Sequence, residues 1–156
     1  MGFVRHWIKA WTVAIALAAA AVPAFAEDRP DTPNQLAGGR VVSVAEAHAL
    51  LTGARAVFID TRSPLNFGKG RVPGARLAYY QEKSAYAADF DGALDSFDWE
   101  RLPADKSTPI VFYSHGLNGW KSYKAAVLAI ARGYKQVLYL REGWAGWTAA
   151  QLPVEQ

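Results

Sequence analysis

The 156-residue chain contains no cysteine. Such a chain forms no disulfide, offers no thiolate to a metal ion and has no thiol nucleophile. Histidine is scarce as well, because beyond residue 26 it occurs only at His48 and His115, which are far apart in the sequence. The carboxylates show no spacing typical of metal ligands. We therefore predict that the protein has neither a metal site nor a cofactor.

An excess of one charge is also missing once residues 1–26 are set aside. The chain has 17 basic and 14 acidic residues, and residues 1–26 contain two of the basic ones, Arg5 and Lys9, and no acidic one. The remaining chain thus has 15 basic residues against 14 acidic ones. Proteins that bind nucleic acids or anionic membranes carry a clustered positive face, so we predict no nucleic-acid partner.

The amino-terminal residues show the pattern of an export signal. Arg5 and Lys9 precede an alanine-rich apolar run from Ala10 to Val22, and residues 24–26 form a small-x-small cleavage pattern. The run is shorter than the roughly 20 apolar residues of a membrane-spanning helix, which disfavours an uncleaved anchor. We predict a cleavable signal peptide over residues 1–26, a periplasmic or secreted protein, and no membrane span after cleavage.

The rest of the chain divides into a leader and one domain. Residues 27–39 contain prolines, glycines and polar residues without apolar periodicity, which predicts a flexible leader. Residues 40–156 are enough for a single domain with a hydrophobic core.

Strand and helix signals alternate through this domain. Strands are predicted at residues 41–42, 56–60, near 75–78, at 110–113 and at 136–140. A first helix is predicted to begin at the Ser43/Glu46 capping box and to end at Gly53, and a short helical turn is predicted after residue 63. One or two short surface helices are predicted in 81–109. The last predicted helix extends from Trp120 to Arg132, with Gly133 as its cap. The alternation predicts a small parallel five-stranded α/β sheet with helices on both faces. Ligands of such sheets bind outside the carboxyl ends of the strands.

Sequence motifs from Val41 to Glu155 resemble the rhodanese-like domain family. Residues 57–77, VFIDTRSPLNFGKGRVPGARL, are similar to the family segment in which Asp-x-Arg is followed by Gly-His-Ile-Pro-Gly-Ala. Residues 131–155 resemble its closing strand, glycine-tryptophan helix and Leu-Pro-Val end. The resemblance implies the rhodanese fold and, in family members that carry the catalytic cysteine, sulfur transfer through a persulfide.

The family's Cys-x-x-Gly-x-Arg-Ser loop is altered in this chain. Counted backward from the helix, Gly116 takes the cysteine position and Lys121 the arginine position. Counted forward from the strand, Ser114 takes the cysteine position and the loop is two residues longer. Neither alignment supplies sulfur, and a serine hydroxyl forms no persulfide.

We therefore predict a loop that retains an anion cradle but has lost the nucleophile. Its glycines allow tight turns, the helix start leaves N–H groups free, and Lys121 adds a positive charge. The candidate anion-binding residues are Ser114, His115, Gly116, Leu117, Asn118, Gly119, Trp120, Lys121 and Ser122, with Asp60, Arg62 and Arg71 at the rim. A solvated Lys121, an exposed His115 and a structural Asp60–Arg62 ion pair are the alternative interpretations.

A weaker resemblance concerns exported rhodanese-like proteins with a Cys-x-x-x-Cys-Trp loop, which are associated with quinone-dependent alcohol oxidation. Trp120 matches the tryptophan of that motif, and Gly119 stands at its second cysteine. This resemblance implies a periplasmic redox protein as a partner.

Three classes of function remain open at this stage. The first is a non-catalytic module that binds a small oxyanion, a sulfur compound or a protein partner. The second is an enzyme, either related to sulfurtransferases or serine-dependent through Ser114 and His115, acting on an anionic substrate. The third is a scaffold that docks another protein through the aromatic residues between Phe90 and Trp99. The missing thiol favours the first class over the second.

Overall fold

The computed structural model describes residues 29–156 together with Gly2. The predicted signal peptide, apart from Gly2, and its cleavage site lie outside the described residues. Within them, no helix is long and apolar enough to cross a membrane.

A five-stranded parallel sheet forms the centre of the domain. The strands of the chain are β1 (Arg40–Val41), β2 (Val57–Asp60), β3 (Arg76–Leu77), β4 (Tyr80–Gln81), β5 (Ser96–Phe97), β6 (Ile110–Tyr113) and β7 (Val137–Leu140). The sheet order is β1-β7-β6-β2-β3, and every neighbouring pair is parallel. β2 and β6 are aligned residue by residue, from Val57 opposite Ile110 to Asp60 opposite Tyr113. The predicted five-stranded parallel sheet is therefore confirmed.

Four α-helices connect these strands: α1 (Val44–Thr52), α2 (Pro64–Lys69), α3 (Trp120–Ala131) and α4 (Gly143–Ala149). The predicted capping box begins α1, since Glu46 N donates to Ser43 Oγ over 3.2 Å and Ser43 N donates to Glu46 Oε2 over 2.8 Å. Gly133 follows α3 with a φ of 92°, a conformation that favours glycine. Local sequence signals thus determine where these helices begin and end.

The sheet is covered by helices on both faces, as predicted. One face packs Val42, Phe58, Val111 and Tyr113 against residues of α1, α2 and α4, including the fully buried Trp147. The other face packs Ile59, Phe112 and Tyr139 against α3. The central strands are buried on both faces, which explains why their sequences are continuously apolar.

The segment from 81 to 109 was predicted to form one or two short surface helices, and the short helices found there are of the 3-10 type. It contains two 3-10 helices, Gly92–Leu94 and Trp99–Arg101, and the strand β5, which pairs antiparallel with β4. Asp95 holds this segment in place, because its carboxylate accepts hydrogen bonds from the Tyr80 hydroxyl and from the N–H groups of Lys83 and Ser84. Such contacts across 11 to 15 residues leave no periodic signal in the sequence.

The described part of the predicted leader makes contacts that a flexible segment would not make. Residues 29–39 form neither helix nor strand, yet Thr32 and Leu36 are only 2% and 6% exposed. Leu36 belongs to the core cluster on the α3 face of the sheet. The prediction of a flexible leader was based on local composition, which carries no information about these contacts with distant parts of the chain.

Candidate functional site

The loop of residues 114–119 connects β6 to α3 at the carboxyl edge of the sheet. The start of α4 holds its first turn, because Trp144 N and Ala145 N each donate over 2.8 Å, to Ser114 O and His115 O. Gly143, with a φ of 57°, lies so close that a Cβ atom there would be 2.5 Å from Ser114 O. The loop backbone is therefore packed directly on the α4 backbone.

Hydrogen bonds inside the loop use some of its N–H groups and leave others free. Gly119 N donates to Gly116 O over 2.8 Å, and Trp120 N donates to Asn118 O over 3.0 Å. In the part of the chain that the structure describes, no hydrogen bond takes up the N–H groups of residues 115–118. Four consecutive free donors are a property that an anion-binding loop requires.

Ser114 and His115 do not form a nucleophile-base pair. Ser114 is only 2% exposed, whereas His115 is exposed, and its Nε2 lies 3.4 Å from Asn66 Nδ2 of α2. No hydrogen bond between Ser114 and His115 is found within residues 29–156. Consecutive residues leaving a strand point in opposite directions, which accounts for the separation.

Desolvation and nearby positive charges lower the pKa of His115 from its usual 6.5. Desolvation of the ring is the larger effect, and the positive charge of Arg62 adds to it, while Asp60 opposes it. The lowered pKa favours the neutral form of the His115 ring.

Lys121 lies half-buried in the first turn of α3, with its Nζ 4.7 Å from the centre of the Tyr79 ring. Burial lowers the pKa of this amine, and the negative charge of Glu82 partly opposes the effect. Among the described residues, no carboxylate lies within ion-pair distance of Lys121. An ammonium group that has an aromatic neighbour but no carboxylate partner remains available to an anion.

Two predicted binding residues have side chains that are already engaged. Trp120 is only 3% exposed, and its indole N–H donates to Pro30 O over 2.8 Å. Ser122 is 1% exposed, and its hydroxyl donates to Gly119 O over 3.0 Å. Their side chains therefore support the loop and are not free to contact a ligand.

Asp60 and Arg62 were placed at the rim, but the structure buries both. Their side chains are 0% and 2% exposed, and Arg62 Nη2 lies 2.6 Å from Asp60 Oδ2. Arg62 also donates to Gly70 O over 2.7 Å and lies 4.7 Å from the Trp144 ring centre. The alternative interpretation of a structural ion pair is the correct one for these two residues.

Arg71 also interacts with residues outside the loop. Its guanidinium pairs with Glu155 and lies 4.7 Å from the centre of the Phe67 ring. Arg71 N donates to Glu155 O and Glu155 N donates to Arg71 O, so the carboxyl-terminal residues are fastened here. The role visible in the structure is thus to anchor the chain end.

Several residues near the loop were missed by the sequence analysis. Asn66 faces His115, Tyr79 supports Lys121, and Thr32 donates to Leu117 O. Local patterns give no signal for such contacts, because Asn66 is 49 residues from His115 and Thr32 is 85 residues from Leu117. Leu117 and Asn118 themselves are exposed, and Gly116 is half-buried, as the cradle prediction requires.

The protein is a small α/β domain whose candidate site is the loop at the carboxyl edge of the sheet. The buried Asp60–Arg62 pair lies beside this loop. The family model of the rhodanese-like domain matches residues 43–150. The chain belongs to the rhodanese-like domain family, and it lacks the family's catalytic cysteine.

Solved structures share this fold at low sequence identity. The Alr3790 protein from Anabaena has a TM-score of 0.56 and 20% identity, over 73% of this chain and 81% of that chain. The thiosulfate sulfurtransferase from Pseudomonas aeruginosa has a TM-score of 0.55 and 22% identity, over 76% of this chain and 20% of that chain. The human single-domain sulfurtransferase TSTD1 has a TM-score of 0.51 and 24% identity, over 70% of this chain and 95% of that chain. A comparison with curated proteins finds no match.

No cluster of residues that would suit a metal ion is present among the described residues. The largest cavity described, of about 540 Å³, lies at the amino ends of β1, β6 and β7, opposite the loop. Its lining includes Arg40, Arg55 and Lys135, but Arg40 pairs with Glu46 and Arg55 donates to Ala49 O. The loop remains the better candidate site because its donors are free.

Proposed function

We propose that this protein is a non-catalytic rhodanese-like module of the periplasm that reversibly binds a small oxyanion, such as sulfate or thiosulfate, at residues 114–122. The observation that carries the proposal is the row of free N–H groups at residues 115–118, beside a half-buried Lys121 without a carboxylate partner. Oriented N–H donors and a nearby ammonium group attract an oxyanion even when no covalent bond can form.

The side chains around the loop favour binding over chemistry. Ser114 has no base beside it, and His115 faces Asn66. A persulfide needs a thiolate, and the chain contains none. Phe97 and Trp99 of the segment proposed for docking are partly buried against the α3-side core, and Arg132 lies 3.9 Å from the Trp99 ring centre. These contacts argue against a serine-dependent enzyme and against an aromatic scaffold.

We predict that calorimetric titration detects sulfate or thiosulfate binding with a dissociation constant in the range of about 1 mM, the strength of a small polar ligand. The variant Lys121→Ala is expected to weaken binding roughly three- to tenfold, because it removes a charged group at a helix N-terminus. Added sodium chloride should compete.

The matched control for this titration is Lys135→Ala. Lys135 is exposed and lies at the opposite edge of the sheet, so this variant has the same net charge as Lys121→Ala without changing the loop. Binding that is absent in the wild-type protein, or equally affected by both variants, would contradict the proposed function.

We predict that the purified protein transfers no sulfur from thiosulfate to cyanide. The covalent intermediate has no sulfur atom on which to form. Thiocyanate production is measured beside a cysteine-containing sulfurtransferase as the positive control. Turnover by the wild-type protein that disappears in Ser114→Ala would show that this prediction is wrong.

We also predict that the protein is exported to the periplasm and that its signal peptide is removed. Cleavage after Ala26 would give a mature chain that begins at Glu27, as the pattern of residues 24–26 suggests. Amino-terminal sequencing of the native protein from a periplasmic fraction tests this directly. A chain that begins at Met1 and sediments with membranes would instead indicate an uncleaved anchor.

A further inference from the structure

Residues 29–32, which we call the strap, pack against the loop of residues 114–119. They precede residues 43–150, the region that the family model matches. Thr32 is the centre of this contact. Its N–H donates to Leu117 O over 2.8 Å, and its hydroxyl donates to the same oxygen over 2.7 Å. Because a hydroxyl has only one proton, the Tyr139 hydroxyl, 2.8 Å away, must donate to Thr32 Oγ1. Thr32 therefore fastens the tip of the loop to the sheet.

The strap is held at Pro30 and by a further contact at Thr32. Before it, Pro30 O accepts the indole N–H of Trp120 over 2.8 Å. At Thr32 itself, the carbonyl oxygen accepts two hydrogen bonds from the Arg141 guanidinium, over 3.1 and 2.8 Å. These contacts join the strap to α3 and to the end of β7, which flank the loop.

Arg29 brings a positive charge to the same place. Its guanidinium lies 3.1 Å from Glu82 Oε1 and 4.7 Å from the centre of the Tyr86 ring, and the side chain is 45% exposed. Burial is the main cause of the lowered pKa of Lys121, and Arg29 adds to the lowering by its positive charge. The hydrogen bond from the Trp120 indole to Pro30 O joins the immediate neighbours of Lys121 and Arg29, so the strap brings both cationic residues to one side of the loop.

The charges around the strap leave a positive excess. Glu82 faces both Arg29 and the buried Lys124, whose Nζ is 3.4 Å from Glu82 Oε2. Among the described residues, Arg29, Lys121 and Lys124 stand against Glu82, which leaves an excess of two positive charges, while Asp31 of the strap is paired with Arg141. The nearby Asp60–Arg62 pair is neutral in sum. An environment with this excess attracts a doubly charged anion more strongly than a singly charged one.

We propose that the strap forms one side of the loop site and has two roles. Thr32 positions Leu117, and the charge of Arg29 makes the site bind doubly charged oxyanions more tightly than singly charged ones. The selectivity rests on the proposed function, whereas the positioning of the loop does not. Thr32 is a positioning residue, since it acts on the ligand only through the loop.

Amide hydrogen exchange measured by NMR on the purified protein tests the positioning. Thr32→Val keeps the side-chain shape but removes the hydroxyl, so exchange at the Gly119 and Trp120 amides should become roughly tenfold faster. Thr32→Ser restores the hydroxyl and should return exchange to the wild-type rate. The control Thr52→Val removes an exposed hydroxyl that bonds only within α1, and should leave the loop unchanged. Unchanged loop exchange in Thr32→Val would overturn the positioning role.

Calorimetry with sulfate and nitrate at low ionic strength tests the selectivity. Arg29→Gln should lower sulfate affinity roughly three- to tenfold and nitrate affinity less, so the preference for sulfate should fall. The control Arg101→Gln removes an arginine whose side chain is 65% exposed and pairs with Asp98. An unchanged ratio of the two affinities in Arg29→Gln would overturn the selectivity.

The two measurements separate this proposal from the proposed function. Sulfate binding that depends on Lys121 but not on Arg29, together with unchanged loop exchange in Thr32→Val, would leave the proposed function standing and reject both roles of the strap. If the wild-type protein binds neither anion, the proposed function and the selectivity both fail, and hydrogen exchange alone decides whether Thr32 positions the loop.

Discussion

Replacing Arg62 by methionine is expected to lower the free energy of unfolding by roughly 3–5 kcal/mol, the usual cost of leaving one partner of a buried ion pair alone. Asp60 is fully buried and is bonded to the Arg62 side chain at 2.6, 3.0 and 3.1 Å. Without the guanidinium, the buried carboxylate would lose its counter-charge and three hydrogen bonds, and the hydrogen bond to Gly70 O would be lost as well. Urea unfolding followed by tryptophan fluorescence measures the change.

Two further variants test the cause of this loss. Arg101→Met removes an arginine from an exposed pair with Asp98, and should cost less than about 1 kcal/mol. Asp60→Asn in the Arg62→Met background removes the unpaired charge, and should recover part of the lost stability. If Arg62→Met costs no more than Arg101→Met, the pair does not have the structural role assigned to it here.

The second large effect is expected from Gly143→Ala, which should lower the free energy of unfolding by about 3 kcal/mol or more, as strain and overpacking combine. The added Cβ would lie 2.5 Å from Ser114 O and 2.9 Å from Gly116 N. The loop would have to move away from α4, which breaks the bonds from Trp144 N and Ala145 N. Anion binding should therefore be lost together with stability.

Gly74→Ala is the matched control for this prediction. Gly74 has a similar φ, 71°, but a Cβ atom there would meet no atom within 4 Å. The control should show only the cost of the left-handed conformation, about 1–2 kcal/mol, and normal anion binding. Equal losses of stability in the two variants would mean that the close approach of Gly143 to the loop is unimportant.

The candidate site shows where prediction from sequence fails. The loop itself was predicted, because a strand, a glycine-containing turn and a helix follow one another directly in residues 110–132. Its surroundings were not, since Trp120 bonds to Pro30 across 90 residues and Thr32 bonds to Leu117 across 85. Composition correctly indicated that residues 29–39 lack helix and strand, but it carried no information about what they contact.

The sequence by itself determined the chain order of the strands in the parallel sheet and of the helices between them, the family and the absence of a sulfur nucleophile. These features depend on residue types and on local patterns such as the capping box at Ser43 and the cap at Gly133. Only the tertiary structure decided which side chains near the loop can contact a ligand. It buried Asp60 with Arg62, directed the Trp120 indole inward and separated His115 from Ser114. The reason is physical: burial and pairing arise between elements that are far apart in the chain and adjacent only after folding.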